Sequence, residues 1–217
     1  MPSTKKLTEK ILSTEDKFNV STEKDGQFIL MSPLAFYNWL EAQTIKRKVV
    51  RIQNHHTWKP NYSHFDGDNH FSLAKGMKRS HLKRKFSDIA QNITIYPDGT
   101  IMVCRPLSKV PAGIYGANTG SICIEHIGNF DEGGDEMTKE QRYAIAYCNA
   151  VLLKKFGLEI NSDSVVYHHW WTAGGKRKNG VDAAKSCPGN NFFGGNKVSD
   201  AEANLYPKIE EILTNLK

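Results

Sequence analysis

The chain has 217 residues, of which 39% are hydrophobic and 24% charged, a composition typical of one soluble globular domain. No stretch approaches the roughly 18 consecutive apolar residues of a membrane-spanning helix. The formal net charge of +6 predicts attraction to polyanions, which include nucleic acid, anionic membranes and anionic wall polymers.

The N-terminal part of the chain is polar. Its first residues, MPSTKKLTEKILSTEDK, contain neither an apolar core nor a small-residue cleavage site, so we expect no standard secretory signal and synthesis in the cytoplasm. Residues 1 to about 30 predict an arm that packs on the main body or is partly disordered. Ser32 and Pro33 then predict the start of a short helix that ends near Gln43. We therefore divide the chain into an arm with a short helix, residues 1–45, and a main domain, residues 46–217.

Strands and helices alternate in the main domain. VVRIQNHHTW predicts a strand that ends at His55 or His56, and the turn-rich residues 59–69 predict a surface loop. FSLAKGMKRSHLKRKF has helical apolar spacing and a basic opposite face. NITIY and TIMV predict a hairpin around the turn residues Pro97, Asp98 and Gly99.

The second half continues this alternation. SICIEHIG predicts a strand that places Glu125 among apolar residues, and SVVYH predicts another that ends at His168. Between them, a capping box of Thr138 and Gln141 predicts a helix that runs to Phe156 and stops at Gly157. A second capping box, Ser199 with Glu202, predicts a C-terminal helix that Pro207 divides in two. The predicted fold is α/β, with a central mixed β-sheet covered by helices on both faces.

Two histidine pairs and one cysteine could form a metal site. Cys104, Cys123 and Cys148 lie among apolar residues, which is typical of buried structural thiols, whereas Cys187 lies in KSCPG. Catalytic zinc takes three protein ligands of the imidazole and thiolate type and leaves a fourth position for water. The alternative is that the histidines are ordinary surface or core residues and that Cys187 is structural.

From Val49 to about Phe193 the sequence resembles the zinc-dependent N-acetylmuramoyl-L-alanine amidases of type 2, a family that includes the peptidoglycan recognition proteins. The matching segments, in order, are IQNHHTW, FSDIAQNITIYPDGTI, GANTGSICIEHIGNF, MTKEQ, VVYHH and KSCPG. The resemblance implies a zinc site at strand ends, one Zn²⁺ per chain, and ligands His55, His168 and Cys187. His169 remains open as the second ligand, because a one-residue slip in register exchanges the faces of a strand.

The resemblance also implies catalytic roles for Glu125 and Lys185. Glu125 falls where glutamate-type members carry the general base, and Lys185 where the family places a lysine that steadies the oxyanion. Gln91 replaces a tyrosine that other members use, which favours the glutamate mechanism. The alternatives are that Glu125 pairs with a lysine and that Lys185 is a solvated surface residue.

The sequence predicts the residues that contact the substrate less specifically than it predicts the metal ligands. We expect His56 to border the substrate or make supporting hydrogen bonds, and Asn118 to line the groove with the glycine-rich loop 113–120. The insertion between His168 and Cys187, residues 170–184, either borders the groove or is a surface loop.

The basic helix face is either solvated or a patch for anionic wall polymers; no nucleic-acid-binding module accompanies it. Its members are Lys75, Lys78, Arg79, Lys83, Arg84 and Lys85.

The expected function is hydrolysis of the amide between N-acetylmuramic acid and L-alanine in peptidoglycan, by a monomer that acts on the cell wall. Phage release, non-standard export and a cytoplasmic recycling role are all open routes to this substrate. One alternative is a non-catalytic peptidoglycan-binding module, against which the retained Cys187 argues. Another is a basic nucleic-acid-binding protein with incidental zinc, which steeply salt-dependent DNA affinity would reveal.

Overall fold

The computed structural model describes residues 22–216, and within them the chain forms one seven-stranded mixed sheet with helices on both faces, as predicted. The strands are β1 (Thr22–Asp25), β2 (Phe28–Met31), β3 (Arg51–His56), β4 (Ile93–Ile95), β5 (Ile101–Val103), β6 (Ser121–His126) and β7 (Val165–Tyr167). Their spatial order is β1-β2-β5-β4-β6-β3-β7. The α-helices that shape the fold are α1 (Pro33–Glu41), α2 (His70–Lys83), α3 (Lys139–Phe156) and α4 (Tyr206–Asn215).

The centre of the sheet is parallel. β6 pairs in parallel with both β4 and β3, and β3 pairs in parallel with β7. β5, β2 and β1 extend the sheet beyond β4 through antiparallel pairs. Because parallel strands end at the same edge, the residues that follow β3, β6 and β7 meet on one side of the molecule.

The segment Thr22–Met31 belongs to the sheet and is not an arm. β1 and β2 form a hairpin, and β2 pairs with β5 so that Ile29 lies opposite Val103. Phe28 and Leu30 are buried beneath α2, where alternation along the strand directs them. The prediction of an arm is therefore wrong for residues 22–31. Residues 1–21, including the stretch expected to lack a secretory signal, lie outside the described part of the chain, and the division after residue 45 stays a prediction.

Two apolar cores flank the sheet. The larger core contains α1, α3 and the C-terminal helical run on one face, with Phe36, Leu152 and Ile209 fully buried. The smaller core lies under α2 and includes Ala74, Met77 and Met102. Within residues 22–216, α2 is therefore the one helix that covers this face of the sheet, and its outer side is exposed. No helix within residues 22–216 is long and apolar enough to cross a membrane.

Several predicted helix ends are confirmed. The Ser32 hydroxyl accepts from the Ala35 N–H at 3.3 Å, Thr138 accepts from the Gln141 N–H at 3.0 Å, and Gly157 ends α3 with a φ of 63°. The capping box at Thr138 is only half formed. Instead of reaching back to the cap, the Gln141 side chain donates to the carbonyl oxygens of Ile95 and Ile127 and fastens α3 to the sheet.

The C-terminal helix begins differently from the prediction. Ser199 is not its cap, because the first helical turn is Val198–Asp200 and the Lys197 N–H donates to the Asp200 carboxylate at 2.9 Å. A π-helical stretch, Ala201–Leu205, follows and leads into α4. Pro207 is in the first turn of α4, where its missing N–H is tolerated, so it changes the hydrogen-bond pattern without ending the run.

The turn between β4 and β5 is tied to the start of α2 by Asp98. Its carboxylate accepts from the Thr100 N–H at 3.0 Å and lies 2.7 Å from His70 Nε2. Burial alone would raise the pKa of Asp98, but the hydrogen bonds from His70 and Thr100 outweigh it and hold the pKa below its ordinary value.

We predict that Asp98→Asn lowers the free energy of unfolding at pH 7 by about 1–3 kcal/mol. A depressed carboxyl pKa stabilises the fold above the unfolded-state pKa, and that stabilisation disappears as the pH falls through the folded-state pKa. The difference between wild type and variant should therefore shrink at acid pH. Urea unfolding at pH 7 and at acid pH measures it, and a constant difference would contradict the proposed ionic contribution.

Candidate metal centre

The candidate metal ligands come from the ends of neighbouring parallel strands. His55 lies near the end of β3, directly beside Glu125 of β6 in the strand register. His168 follows β7 immediately and opens a short 3₁₀ turn. Cys187 comes from the loop before the C-terminal helical run and is buried against these strand ends. All three predicted ligands therefore meet, although 132 residues separate His55 from Cys187.

The three candidate donor atoms lie within 4.8 Å of one another, and the two distances from His55 match those of a tetrahedral zinc site. The Nδ1 atoms of His55 and His168 are 3.2 Å apart, and Cys187 Sγ is 3.6 Å from His55 Nδ1. With Zn–N bonds of about 2.0–2.1 Å and a Zn–S bond of about 2.3 Å, tetrahedral angles place such atoms about 3.3–3.6 Å apart. Two imidazoles and one thiol also match the preference of zinc, so these residues fit the expected metal.

His55 has a defined tautomer because Gln53 holds its other nitrogen. Gln53 Nε2 donates to the Ala117 carbonyl at 2.9 Å, and Gln53 Oε1 accepts from the Ile114 N–H at 3.2 Å. The same Oε1 lies 3.4 Å from His55 Nε2. Since this oxygen only accepts, the proton is on Nε2 and the Nδ1 lone pair is free for a metal.

The tautomer of His55 distinguishes between two candidate sets of metal ligands that both include this residue. A second set, His55, Cys123 and Glu125, also has donor atoms within 4.8 Å of one another. A Cβ on Gly113 would lie 2.3 Å from Gln53 Oε1, 2.8 Å from Cys123 Sγ and 3.0 Å from His55 Nε2. Cys123 is therefore on the protonated Nε2 side of His55, and the lone pair faces the set with His168 and Cys187.

The histidines are held neutral. Burial, reinforced by the nearby His168, lowers the pKa of His55 well below its ordinary value. Burial and the charge of Lys185 lower the pKa of His168 to about 4. Burial raises the pKa of the Cys187 thiol, so ionisation of this sulfur needs a cation beside it. Neutral imidazoles at physiological pH are the form that binds a metal.

His169 supports the centre without pointing into it. Its backbone N–H donates to the Cys187 carbonyl at 2.6 Å, and its Nδ1 lies 2.7 Å from the Lys185 carbonyl oxygen. These two contacts hold the Lys185–Cys187 segment against the end of β7. The structure therefore brings His168, and not His169, to His55 and Cys187.

His56 is buried beside His55 at the end of β3, and its predicted contact with the substrate stays a prediction. Its Nδ1 accepts from the Phe130 N–H at 3.1 Å, and burial lowers its pKa to about 4. The side chain also lines the cavity described next. Asn118 does not line that cavity, because its Oδ1 accepts from the Gly113 N–H at 2.8 Å and orders the loop behind Gln53.

A cavity of about 1040 Å³ opens above the three donor atoms. Its lining includes the predicted catalytic pair Glu125 and Lys185, together with Gln91 and one face of α2. None of residues 170–184 lines it, in agreement with the surface-loop alternative. That loop is nonetheless ordered by Arg177, whose guanidinium lies over Trp170 and Trp171 at 5.7 and 5.5 Å from the ring centroids.

Glu125 has an environment suited to proton transfer. Its side chain is 19% exposed, its Oε1 is 4.0 Å from His55 Nδ1, and its Oε2 has no hydrogen-bond partner among residues 22–216. Burial raises the pKa of Glu125 to about 8, against the opposing positive charges of Lys185 and Arg84. A carboxyl with a pKa near neutrality can both accept and release a proton at physiological pH.

The sequence prediction missed Gln53 as a supporting residue. Its signal was the two-residue period of the strand, which places Gln53 on the same face as His55, and a polar residue in an apolar strand needs a partner. Gln91 was noted only as a replacement for tyrosine. It is fully buried, lines the cavity, and donates to Thr94 Oγ1 at 3.0 Å.

Comparisons with known proteins agree with this geometry. The profile of the N-acetylmuramoyl-L-alanine amidase family matches residues 45–190. The endolysin N-acetylmuramoyl-L-alanine amidase LysCS from Clostridium intestinale is similar in structure, with 25% identity and a TM-score of 0.50, over 67% of this chain and 78% of that one. No curated protein sequence is significantly similar to the chain.

Two more distant structures share the fold. Drosophila PGRP-LB has 20% identity and a TM-score of 0.55, over 70% of this chain and 81% of its own. The Ph2119 endolysin of a Thermus scotoductus bacteriophage has 19% identity and a TM-score of 0.50, over 76% of this chain and 93% of its own. The family match covers β3 to β7, the helix α2 that lines the cavity, and all three candidate metal-donor residues. The chain therefore belongs to the N-acetylmuramoyl-L-alanine amidase family.

Proposed function

We propose that this chain is a zinc-dependent enzyme that hydrolyses the amide between the lactyl group of N-acetylmuramic acid and L-alanine in peptidoglycan. One observation carries the proposal: two imidazoles and one thiol, with donor atoms within 4.8 Å of one another, lie at a cavity that also contains the Glu125 carboxyl group, whose Oε2 has no hydrogen-bond partner among residues 22–216. The peptidoglycan amidase assignment follows from the family, and the metal and the residue roles are our inference.

His55, His168 and Cys187 would hold one zinc ion. When bound, zinc supplies a Lewis acid that polarises the scissile carbonyl and lowers the pKa of water. Gln53 keeps His55 in the tautomer that presents Nδ1, and His169 holds the backbone of Cys187. Both supporting contacts orient the ligands before the substrate arrives.

Glu125 is suited to move the proton during hydrolysis. It would take a proton from the attacking water and deliver it to the leaving amine of L-alanine, which needs one to depart. Its Oε2 lacks a partner within the described residues, so it is available to a water molecule or to the amine. Gln91, in the position of the family's tyrosine, carries no ionisable group for this step.

Lys185 is suited to stabilise the oxyanion. It lines the cavity, and its charge acts on His55, Glu125 and Cys187 alike. The negative charge that develops on the carbonyl oxygen would be opposed by the Lys185 ammonium. We further propose that the chain acts on the cell wall as a monomer.

We predict that purified protein contains about one zinc per chain and releases new L-alanine amino termini from peptidoglycan, and that Cys187→Ala abolishes both. Metal analysis and muropeptide mass spectrometry on the same sample measure them. Cys148→Ala is a matched control, because Cys148 is also a buried free thiol but lies in α3 outside the donor group.

Two results would contradict this function. New reducing sugar ends in place of amino termini would indicate cleavage of the glycan. A metal-free protein that binds cell walls without cleaving them would indicate the non-catalytic binding module.

We predict that Glu125→Gln lowers kcat by at least about 100-fold while zinc binding persists. In metal-free protein the same variant should alter the pH dependence of stability. A raised carboxyl pKa stabilises the fold below the unfolded value, and this contribution is lost as the pH rises through the folded value of about 8.

With chelator present, wild type should therefore lose stability relative to Glu125→Gln between about pH 4.5 and pH 8, by an amount on the order of a few kcal/mol. Urea unfolding at both pH values measures the difference. Parallel stability of the two proteins across this range would exclude an unusual carboxyl pKa at Glu125.

A further inference from the structure

The loop of residues 185–187 carries the predicted oxyanion lysine and a candidate metal donor. A loop has no ladder of backbone hydrogen bonds to fix it, so individual contacts must hold it in place. His169 supplies two of these contacts, because its N–H donates to the Cys187 carbonyl at 2.6 Å and its Nδ1 lies 2.7 Å from the Lys185 carbonyl oxygen. The carbonyl between them, that of Ser186, is held from another part of the chain.

Asn196 reaches this carbonyl from the far side of the loop. Its side-chain Nδ2 donates to the Ser186 carbonyl oxygen at 2.9 Å, and the residue is only 8% exposed. The same oxygen accepts from the Gly189 N–H at 2.9 Å, but that bond spans three residues and closes a local turn. Asn196 is therefore the contact that ties the middle of the loop to the C-terminal part of the chain.

The backbone of Asn196 is held in turn by the segment that carries the other candidate ligand. Its carbonyl oxygen accepts from the indole Nε1–H of the fully buried Trp170 at 2.8 Å. Trp170 ends the 3₁₀ turn that begins at His168. Asn196 thus connects the turn that carries His168 to the loop that carries Cys187, through one backbone and one side-chain hydrogen bond.

An unusual backbone precedes Asn196. Phe193 is buried in the larger core with a left-handed φ of 47°, and Gly194 follows with a φ of 82°. A Cβ on Gly195 would collide with the Asp200 carboxylate, which accepts from the Lys197 N–H. Backbone strain that packing maintains in this way clusters at functional sites, so the turn before Asn196 suggests a role beyond filling the core.

We propose that Asn196 is a positioning residue for the metal centre, which fixes Cys187 relative to His168 before a metal binds. This inference rests on the proposed zinc centre. Donor atoms on two separate segments bind a metal tightly only if their spacing is set in advance, and hydrogen bonds behind the ligands set it. Asn196 lies beyond residues 45–190, which match the family profile, so the family match assigns it no role.

The first test measures the zinc affinity of the full chain by competition with a chromophoric chelator. Asn196→Ala should raise the Kd for zinc by about 10–100-fold, as the loss of a residue that orients a metal ligand does. Trp170→Phe keeps an aromatic ring and removes the N–H, so it should raise the Kd by less. The double variant should bind no more weakly than Asn196→Ala alone, since both changes break one bridge.

Tyr206→Phe is the matched control. The Tyr206 hydroxyl donates to the Val165 carbonyl at 2.7 Å, so this variant also removes a buried hydrogen bond made by the C-terminal helical run. It should lower the thermal midpoint by about 2–4 °C and leave the Kd for zinc unchanged. Asn196→Ala should also shift the thiolate absorption band of the cobalt-substituted protein, which a loss of stability alone does not move. Equal changes of Kd in the two variants would overturn the positioning role.

The metal-free protein separates this inference from the proposed function. Without metal, Asn196→Ala should increase several-fold both the rate at which a thiol reagent modifies Cys187 and the hydrogen-exchange rate of the His169 N–H, relative to Tyr206→Phe. Rates equal to those of Tyr206→Phe would overturn the positioning role, even in an active amidase. If wild type binds no zinc, the proposed function fails, and the two rates still decide whether Asn196 positions Cys187.

Discussion

The parallel pairing of β3 with β6 and β7 is the constraint on which the rest of the structure depends. In this register His55 stands beside Glu125, and Asn54 stands beside Tyr167, so that His168 follows at the same edge. Only parallel strands end together in this way. One alignment of three short strands therefore brings together the two candidate histidine donors and the Glu125 carboxyl group, and Cys187 reaches them from a loop.

Buried polar side chains on both faces of β3 hold that alignment. Toward α3, the Asn54 amide exchanges hydrogen bonds with Asn149 at 3.0 Å and lies 3.1 Å from His126 Nε2. Toward the cavity, Gln53 connects His55 to the loop that contains Ala117. A one-residue slip would exchange these faces and leave the amides without partners, which is costly in a buried sheet.

The cavity combines opposite electrostatic requirements within a small volume. Burial keeps its histidines neutral and raises the pKa of Glu125 to about 8, while the positive charges of Lys185 and Arg84 oppose that rise. These positive charges also favour a negatively charged substrate. The fold divides the basic surface predicted from the sequence, because Lys75 and Lys78 form ion pairs with Asp25 and Asp88, whereas Arg79 lines the cavity.

The sequence by itself determined the α/β class, the main strands and helices and, through its resemblance, the candidate residues of the proposed metal centre, because periodicity, caps and motifs are local signals. It did not reveal that Phe28–Met31 join the sheet, since four residues carry too little periodicity to outweigh their polar surroundings. Only the tertiary structure showed that His168, rather than His169, lies beside His55 and Cys187, and that Gln53 and Asn118 form hydrogen bonds in the loop behind His55. Those distinctions depend on strand register and on contacts between residues far apart in the chain, and hydrophobic patterning does not encode either at single-residue precision.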